Sequence, residues 1–142
     1  MSDLQKGERQ ANVDWSLMQC VKGMNLNGLP NILHIYDIAC QYHKRLAERI
    51  DRNEYLALPN VALIHAIGAF HVHGHKESCF PRYSTNFIPG AGMIDGEIME
   101  TLWSVLNEPS ASMRTATLAN RAEVLDDHMI DSNWKKLTSV GE

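Results

Sequence analysis

The sequence predicts a helix-rich α/β (α+β) fold with a few central strands, laid out as a single domain over residues 1–142. Three observations carry that expectation. The run "ILHIY" at residues 32–36 is short, rich in β-branched and aromatic side chains and bounded by turn formers, as a buried central strand is. Directly after it Ile38, Tyr42, Leu46 and Ile50 recur every four positions, with Lys44, Arg45, Glu48, Arg49 and Asp51 between them, which is the pattern of an amphipathic helix. The composition, 44% apolar and 21% charged over 142 residues, is that of an ordinary globular chain able to bury one core.

The remaining elements follow in order. Residues 13–24 read as a helix with Asn12 as its N-cap, Trp15, Leu17, Met18 and Val21 as apolar contacts and Cys20 in the core. Asn27, Gly28 and Pro30 break it. "VALIHAIGAFHVH" predicts a second strand ending near His73, because Gly68 weakens a helix and Phe70 and Val72 fit period two. "HKESCFPRYS" leaves room for a helical turn or two before Pro81. "IPGAGMIDG", with Pro89, Gly90, Gly92 and Gly96, is a loop whose backbone enters conformations closed to most residues. Asp95 is placed to cap the helix that follows, in which Ile98, Leu102, Val105 and Leu106 share a side and which Pro109 ends or kinks. A last helix over residues 116–129 turns Leu118, Ala122 and Leu125 inward; Trp103 and Trp134 read as core anchors, Lys135 and Lys136 as a solvated helix end.

Charge and cysteine usage narrow the function classes. The chain has 13 Lys and Arg against 17 Asp and Glu, a net charge of -4, which argues against a small autonomous DNA-binding domain with a basic face. Any DNA contact is expected to be local. No apolar run approaches the roughly 20 residues of a membrane span and "MSDLQKGERQ" is no signal peptide, so an intracellular chain is expected. Cys20, Cys40 and Cys79 make an odd, sparse set that suits reduced thiols or metal ligands better than disulfides.

Two constellations carry chemistry. Asp37 closes the first strand, and Glu97 and Glu100 stand three positions apart on nearly one helix face. A strand-end Asp and a helical Glu can share a divalent cation such as Mg²⁺, whose charge offsets the clustering of negative groups and which often works in pairs about 3.5–4 Å apart in phosphodiester chemistry. The same positions also suit a plain helix cap and an acid on the helix dipole. The second constellation is His71, His73, His75 and Cys79, which with Cys40 and His43 holds ligand types that Zn²⁺ accepts. Hydrogen-bonding histidines around a core cysteine are the alternative reading.

Four phrases in order, "YDIACQYHKRL", "AIGAFHVHGHKESCF", "NFIPGAGMIDGEIMETLWSVLN" and "NRAEVLDDHMIDSNWKKL", together resemble the KDZ (Kyakuja, Dileera and Zisupton) transposases abundant in fungal genomes, over about residues 12–137. The resemblance implies an RNase H-like catalytic core of the Asp-Asp-Glu (DDE) type, in which three carboxylates hold two Mg²⁺ ions for DNA strand cleavage and transfer. It also implies transposon-end DNA as partner and the nucleus as location, with no membrane and with self-association open. Asp37 in "YDIACQ" matches the second catalytic Asp. The final Glu falls in "DGEIMETLWS", and comparison with the "ER-x-FS" helix of hAT transposases puts Glu100 ahead of Glu97. His71, His75 and Cys79 match an "FH...H...C" segment that would bind metal or brace the site, with Cys40 beside it; Arg121 matches a basic position suited to phosphate, and Asp14 in "NVDW" falls on a motif without an assigned role.

The departures shape the functional expectation. In the family the first catalytic Asp lies on a strand upstream of anything here, the Cys-rich N-terminal region is missing, and Pro109 interrupts the chain after Glu100. The sequence therefore predicts the C-terminal part of a DDE core lacking its first catalytic strand, a fragment or relic of a transposase that is inactive alone. One alternative is a small zinc-stabilised binding module without catalytic activity, built on Cys40, His43, His75 and Cys79. Another is a self-contained metal-dependent hydrolase using the histidines and Glu97.

Overall fold

The structure, a computed structural model, describes residues 7–26, 28–57, 61–107 and 110–140. Asn27 and Pro109, expected to break helices, lie outside the described residues, as do the side chains of Val105 and Leu106. The fold is a helix-rich α+β arrangement with one small parallel sheet, in two compact units, residues 1–96 and 97–142.

The first unit is built on a strand-helix-strand crossover. Helix α1 (Gln10–Gly23) leads into β1 (Asn31–Ile35), then α2 (Ala39–Tyr42), a 3-10 turn at His43–Arg45, α3 (Leu46–Asp51) and β2 (Ala62–Ala66). The strands pair in parallel from Asn31 opposite Ala62 to Ile35 opposite Ala66, and Tyr36 adds one more bond, donating to the Ala66 carbonyl at 3.0 Å. Parallel pairing demands a long return path, which α2 and α3 supply. The period-four stripe acts as expected at its centre: Tyr42 and Leu46 are buried, while Ile38 stays at the surface. Ala39, Cys40, Ile67 and Val72 form a second buried cluster, lined by Tyr36, Cys79, Phe80 and Tyr83.

The second strand is shorter than the sequence suggests. It stops at Ala66; Ile67 donates to the Tyr83 carbonyl at 2.8 Å, and the chain then coils into a 3-10 turn at His71–Gly74. Phe70 is 80% exposed while Val72 is buried, so the alternation that suggested a strand reflects a helical turn with one inward residue. A second 3-10 turn (Glu77–Cys79) runs into α4 (Phe80–Tyr83), with Pro81 in the first turn, where its missing N–H does no harm. The loop after it is pinned back: Thr85 Oγ1 donates to the Ile94 carbonyl at 2.7 Å and Ala69 N to that of Asp95, also at 2.7 Å. Gly96 needs to be glycine twice over, with φ of +76° and an added Cβ that would lie 2.9 Å from Ile35 Cγ2 and 3.3 Å from the Gly68 Cα.

Helix α1 starts earlier than expected, with Arg9 rather than Asn12 at the cap position and no side-chain cap. It buries Met18 and Val21, and with them Asp14; Cys20 is exposed rather than in the core, and Trp15 is half-exposed. The buried carboxylate of Asp14 is met by Arg49 of α3, which donates through Nε at 2.7 Å and Nη2 at 2.9 Å while its guanidinium also reaches the Tyr42 carbonyl at 3.3 Å. The same guanidinium carbon stands 4.8 Å from the centre of the Tyr42 ring. This fork fastens α1 to the crossover.

The second unit contains α5 (Ile98–Leu106), α6 (Ser110–Met113) and α7 (Leu118–Thr138), with α5 packed on α7. With α5 starting at Ile98, the cap position falls on Glu97 and not on Asp95. Thr117 caps α7, accepting from Asn120 N at 3.3 Å. That helix runs well past residue 129, supported by a Lys135–Asp131 pair at 2.6 Å one turn apart. Trp103 and Trp134 are 48% and 63% exposed, so neither is a core anchor, and Leu118 is exposed as well.

The Asp14–Arg49 fork yields a stability prediction. Asp14 is 2% exposed and Arg49 21%, so removing either partner strands a charge and is expected to lower unfolding stability by roughly 3 kcal/mol. Urea denaturation of Arg49→Met, which strands the deeper charge, should show at least as large a loss as Asp14→Asn; a loss under about 0.5 kcal/mol in both would remove the fork from the account of the fold.

Candidate metal centre

The C-terminal edge of the parallel pair positions the acid and His71. Asp37 occupies the turn directly after β1, before α2, with its carboxylate more than half exposed. The chain leaving β2 turns at Ala69 and Phe70 and returns His71 to the same edge, where His71 Nε2 lies 3.8 Å from Asp37 Oδ1. His71 is thus a neighbour of the acid and is held apart from the cysteines.

Behind that edge lies a sulfur-containing cluster. Cys40 is the second residue of α2 and buried; His75 follows the 3-10 turn at His71–Gly74, and Cys79 ends the next turn. Cys40 Sγ is 3.4 Å from His75 Nδ1, and the donor atoms of Cys40, His75 and Cys79 all lie within 4.8 Å of one another. Burial, followed by the neighbouring Cys79, pushes the Cys40 thiol up from its ordinary value. The three residues line a cleft of about 750 Å³ shared with Lys44, Lys76 and Arg82. Besides His71, two histidines from the same sequence constellation are not among them. His43 donates from Nδ1 to the Ala39 carbonyl at 2.7 Å, and its ring packs on His65 and Tyr83; His73 packs on Phe80.

The sequence reading missed a third group. His34 and His65 are direct partners in the parallel register, and their Nδ1 atoms are 3.1 Å apart, walled by Tyr36, Tyr42 and His43. One ring must donate and the other accept, so the pair holds together only while at least one is neutral. Burial lowers both; His65, with His34 and His43 adding repulsion, falls to about 4. A signal was present, one histidine at an interior position of each strand, but register cannot be read before the strands are paired.

In the second unit Glu97 precedes α5 and Glu100 stands exposed in its first turn. Arg121 is exposed near the start of α7, its backbone N–H bonded to the Thr117 carbonyl at 2.9 Å.

These features define an α+β protein carrying donor sets suited to metal ions. The family model of the Kyakuja-Dileera-Zisupton (KDZ) transposase matches residues 1–133, and the chain belongs to that family. Membership associates it with DNA and with a metal cofactor. No curated protein matches the chain, and no solved structure does. Among the described residues no helix is long and apolar enough to cross a membrane.

The histidine pair sets a pH dependence. With its folded value lowered from 6.5 to about 4, His65 binds fewer protons folded than unfolded between those limits, so stability is full above about pH 6.5 and declines as pH falls toward 4. Partial solvent access trims the effect to on the order of 2 kcal/mol. His65→Gln should flatten the pH dependence of the urea midpoint between pH 6.5 and 4; an unchanged slope would show that the pair does not drive it.

Proposed function

We propose that this chain carries the later part of an RNase H-like DDE transposase core and contributes two metal-binding carboxylates, Asp37 and Glu100, to Mg²⁺-dependent cleavage and transfer of DNA strands. The observation that carries the reading is the position of Asp37 at the C-terminal edge of a parallel strand pair, where open α/β sheets present their ligands, in a chain of the KDZ transposase family. The donor chemistry fits. Mg²⁺ takes oxygen ligands, keeps several waters and needs only one or two carboxylates, which suits an Asp more than half exposed in a turn and a Glu in an exposed first helical turn.

When bound, Mg²⁺ supplies the charge that stabilises a phosphodiester undergoing displacement. The chain's own residues do the positioning. The β1–β2 ladder fixes the backbone ahead of Asp37, and His71 Nε2 lies 3.8 Å from its Oδ1. Glu100 offers its carboxylate from a helix, a more rigid mount than a loop. Glu97, just before α5, is the reserve ligand. Arg121, exposed on α7, would meet a DNA phosphate, the kind of local cation that a chain of net charge -4 needs. The third carboxylate of a DDE site has no assignment in this chain, so it is read as a fragment or relic without turnover of its own. The substrate is DNA of transposon ends and the compartment the nucleus, with a fungal type of element as source. The Cys40, His75 and Cys79 cluster favours one second reading, a zinc-stabilised binding module without catalysis.

Paramagnetic Mn²⁺, standing in for Mg²⁺, tests the carboxylate pair by NMR without requiring turnover. Backbone amides around Asp37 and Glu100 should broaden together at the same Mn²⁺ concentration. Asp37→Asn and Glu100→Gln should each weaken binding at least tenfold, about 1.4 kcal/mol, while Glu97→Gln changes it by less than threefold. Broadening at Asp37 that ignores Glu100→Gln would overturn the shared site.

On DNA, Arg121→Ala should weaken binding and lower the salt slope by about 1 if the side chain meets one phosphate. A gel-shift series over salt reads both quantities, and an unchanged slope would remove Arg121 from the interface.

A further inference from the structure

We propose that Cys40, His75 and Cys79 hold one Zn²⁺ ion as a clasp between the two chain segments that leave the strand pair, with the fourth coordination position filled by solvent from the adjoining cleft. This site is separate from the Mg²⁺ reading and does not rest on it.

Four features of the first unit argue for it. The donors are two thiols and an imidazole, a set that favours zinc over magnesium or calcium, which take oxygen. Their geometry is close to what the ion imposes. A tetrahedral site with Zn–S of about 2.3 Å and Zn–N of about 2.0 Å has edges of roughly 3.5–3.8 Å. The Cys40–His75 separation is already 3.4 Å, and every donor pair lies within 4.8 Å, so ordinary side-chain rotation closes the set.

Selection within the cluster is the third feature. Of the histidines in the same sequence constellation, those left out face elsewhere: His43 packs on the rings of His65 and Tyr83, His71 lies beside Asp37, and His73 packs on the ring of Phe80. Charge is the fourth. Lys44, Lys76 and Arg82 line the same cleft and would oppose a net positive centre. Two thiolates cancel the charge of the dication, so a Cys₂His site is neutral and tolerates those neighbours.

The consequence is mechanical. Cys40 and His75 stand 35 positions apart, on segments that follow β1 and β2 respectively. The ion would tie α2 to the coil of 3-10 turns, and Asp37 and His71 stand just ahead of the ligands on those two segments. The clasp thus braces the backbone that presents the Asp37–His71 pair.

Elemental analysis of the reduced chain, produced with zinc and dialysed, should find one Zn²⁺ per molecule. Cys79→Ser and His75→Asn should fall to background, while His43→Asn keeps its full equivalent. Free Zn²⁺ at a thousandfold above Kd should raise Tm by roughly 10 °C, and a chelator should reverse it. In case a variant fails to fold, Co²⁺ substitution of the unaltered chain gives an independent reading: intense tetrahedral d–d bands with a thiolate charge-transfer band are expected. Zinc at background in the unaltered chain, full stoichiometry in both ligand variants, or a Co²⁺ spectrum without thiolate charge transfer would each overturn the proposal.

Discussion

Parallel pairing of two five-residue strands is the constraint on which the rest of the first unit depends. Because β1 and β2 run the same way, the segments that follow them leave from the same edge of the sheet. Asp37 follows one strand directly, and the coil that bears His71, His75 and Cys79 follows the other. An antiparallel pairing would send these segments to opposite ends, and neither the acid–imidazole pair nor the sulfur cluster would assemble. The register matters equally, since a one-residue slip would turn every side chain to the other face and separate His34 from His65.

Parallel strands are expensive in loop entropy, and the crossover recovers stability through two kinds of contact. One is apolar, through Tyr42 and Leu46. The other is the fork of Arg49 on Asp14, whose directionality an apolar patch lacks. A planar guanidinium that grips a carboxylate with two nitrogens and also reaches the Tyr42 carbonyl admits one orientation of α1 against α3. The motif "NVDW" therefore has a structural account: Asp14 is a buried anchor at a position where a carboxylate would otherwise be costly.

The sequence was legible where a periodic signal met a clear boundary. The strand at "ILHIY", the turn at Asp37 and the stripe Tyr42–Leu46 were all readable because β-branched runs and four-residue spacing report local burial directly. Legibility failed where tertiary contacts decide. The coil from His71 to Cys79 looked like strand because Phe70 and Val72 alternate, yet Ile67 is captured by Tyr83 and Ala69 by Asp95, and those bonds end the ladder. Cys20 and the tryptophans were misplaced for a related reason: residue type suggests a core, but the angle around a helix decides, and Met18 and Val21 already occupy the buried face of α1. The cluster of Cys40, His75 and Cys79 was half legible, since its members were visible as ligand types while the exclusion of His43 required knowing that its ring packs on His65 and Tyr83.

On the two metal readings proposed above, the first unit would sort its ligands by hardness and burial. The carboxylate of Asp37 lies in the open, where a strongly hydrated ion can keep most of its waters and exchange quickly. The thiols lie deeper, with Cys40 at 8% exposure, where a borderline-soft ion would lose its waters to sulfur and stay. Hard oxygen and soft sulfur donors mixed at one point would compete for whichever ion was abundant. The two residues between them, Ile38 and Ala39, are enough to keep them apart here, because the turn after β1 leaves Asp37 at the surface while the start of α2 carries Cys40 into the core. Inserting or deleting one residue between Asp37 and Cys40 would rotate Cys40 by about 100° out of the cluster and leave Asp37 in place, so the proposed sulfur site is the more fragile of the two.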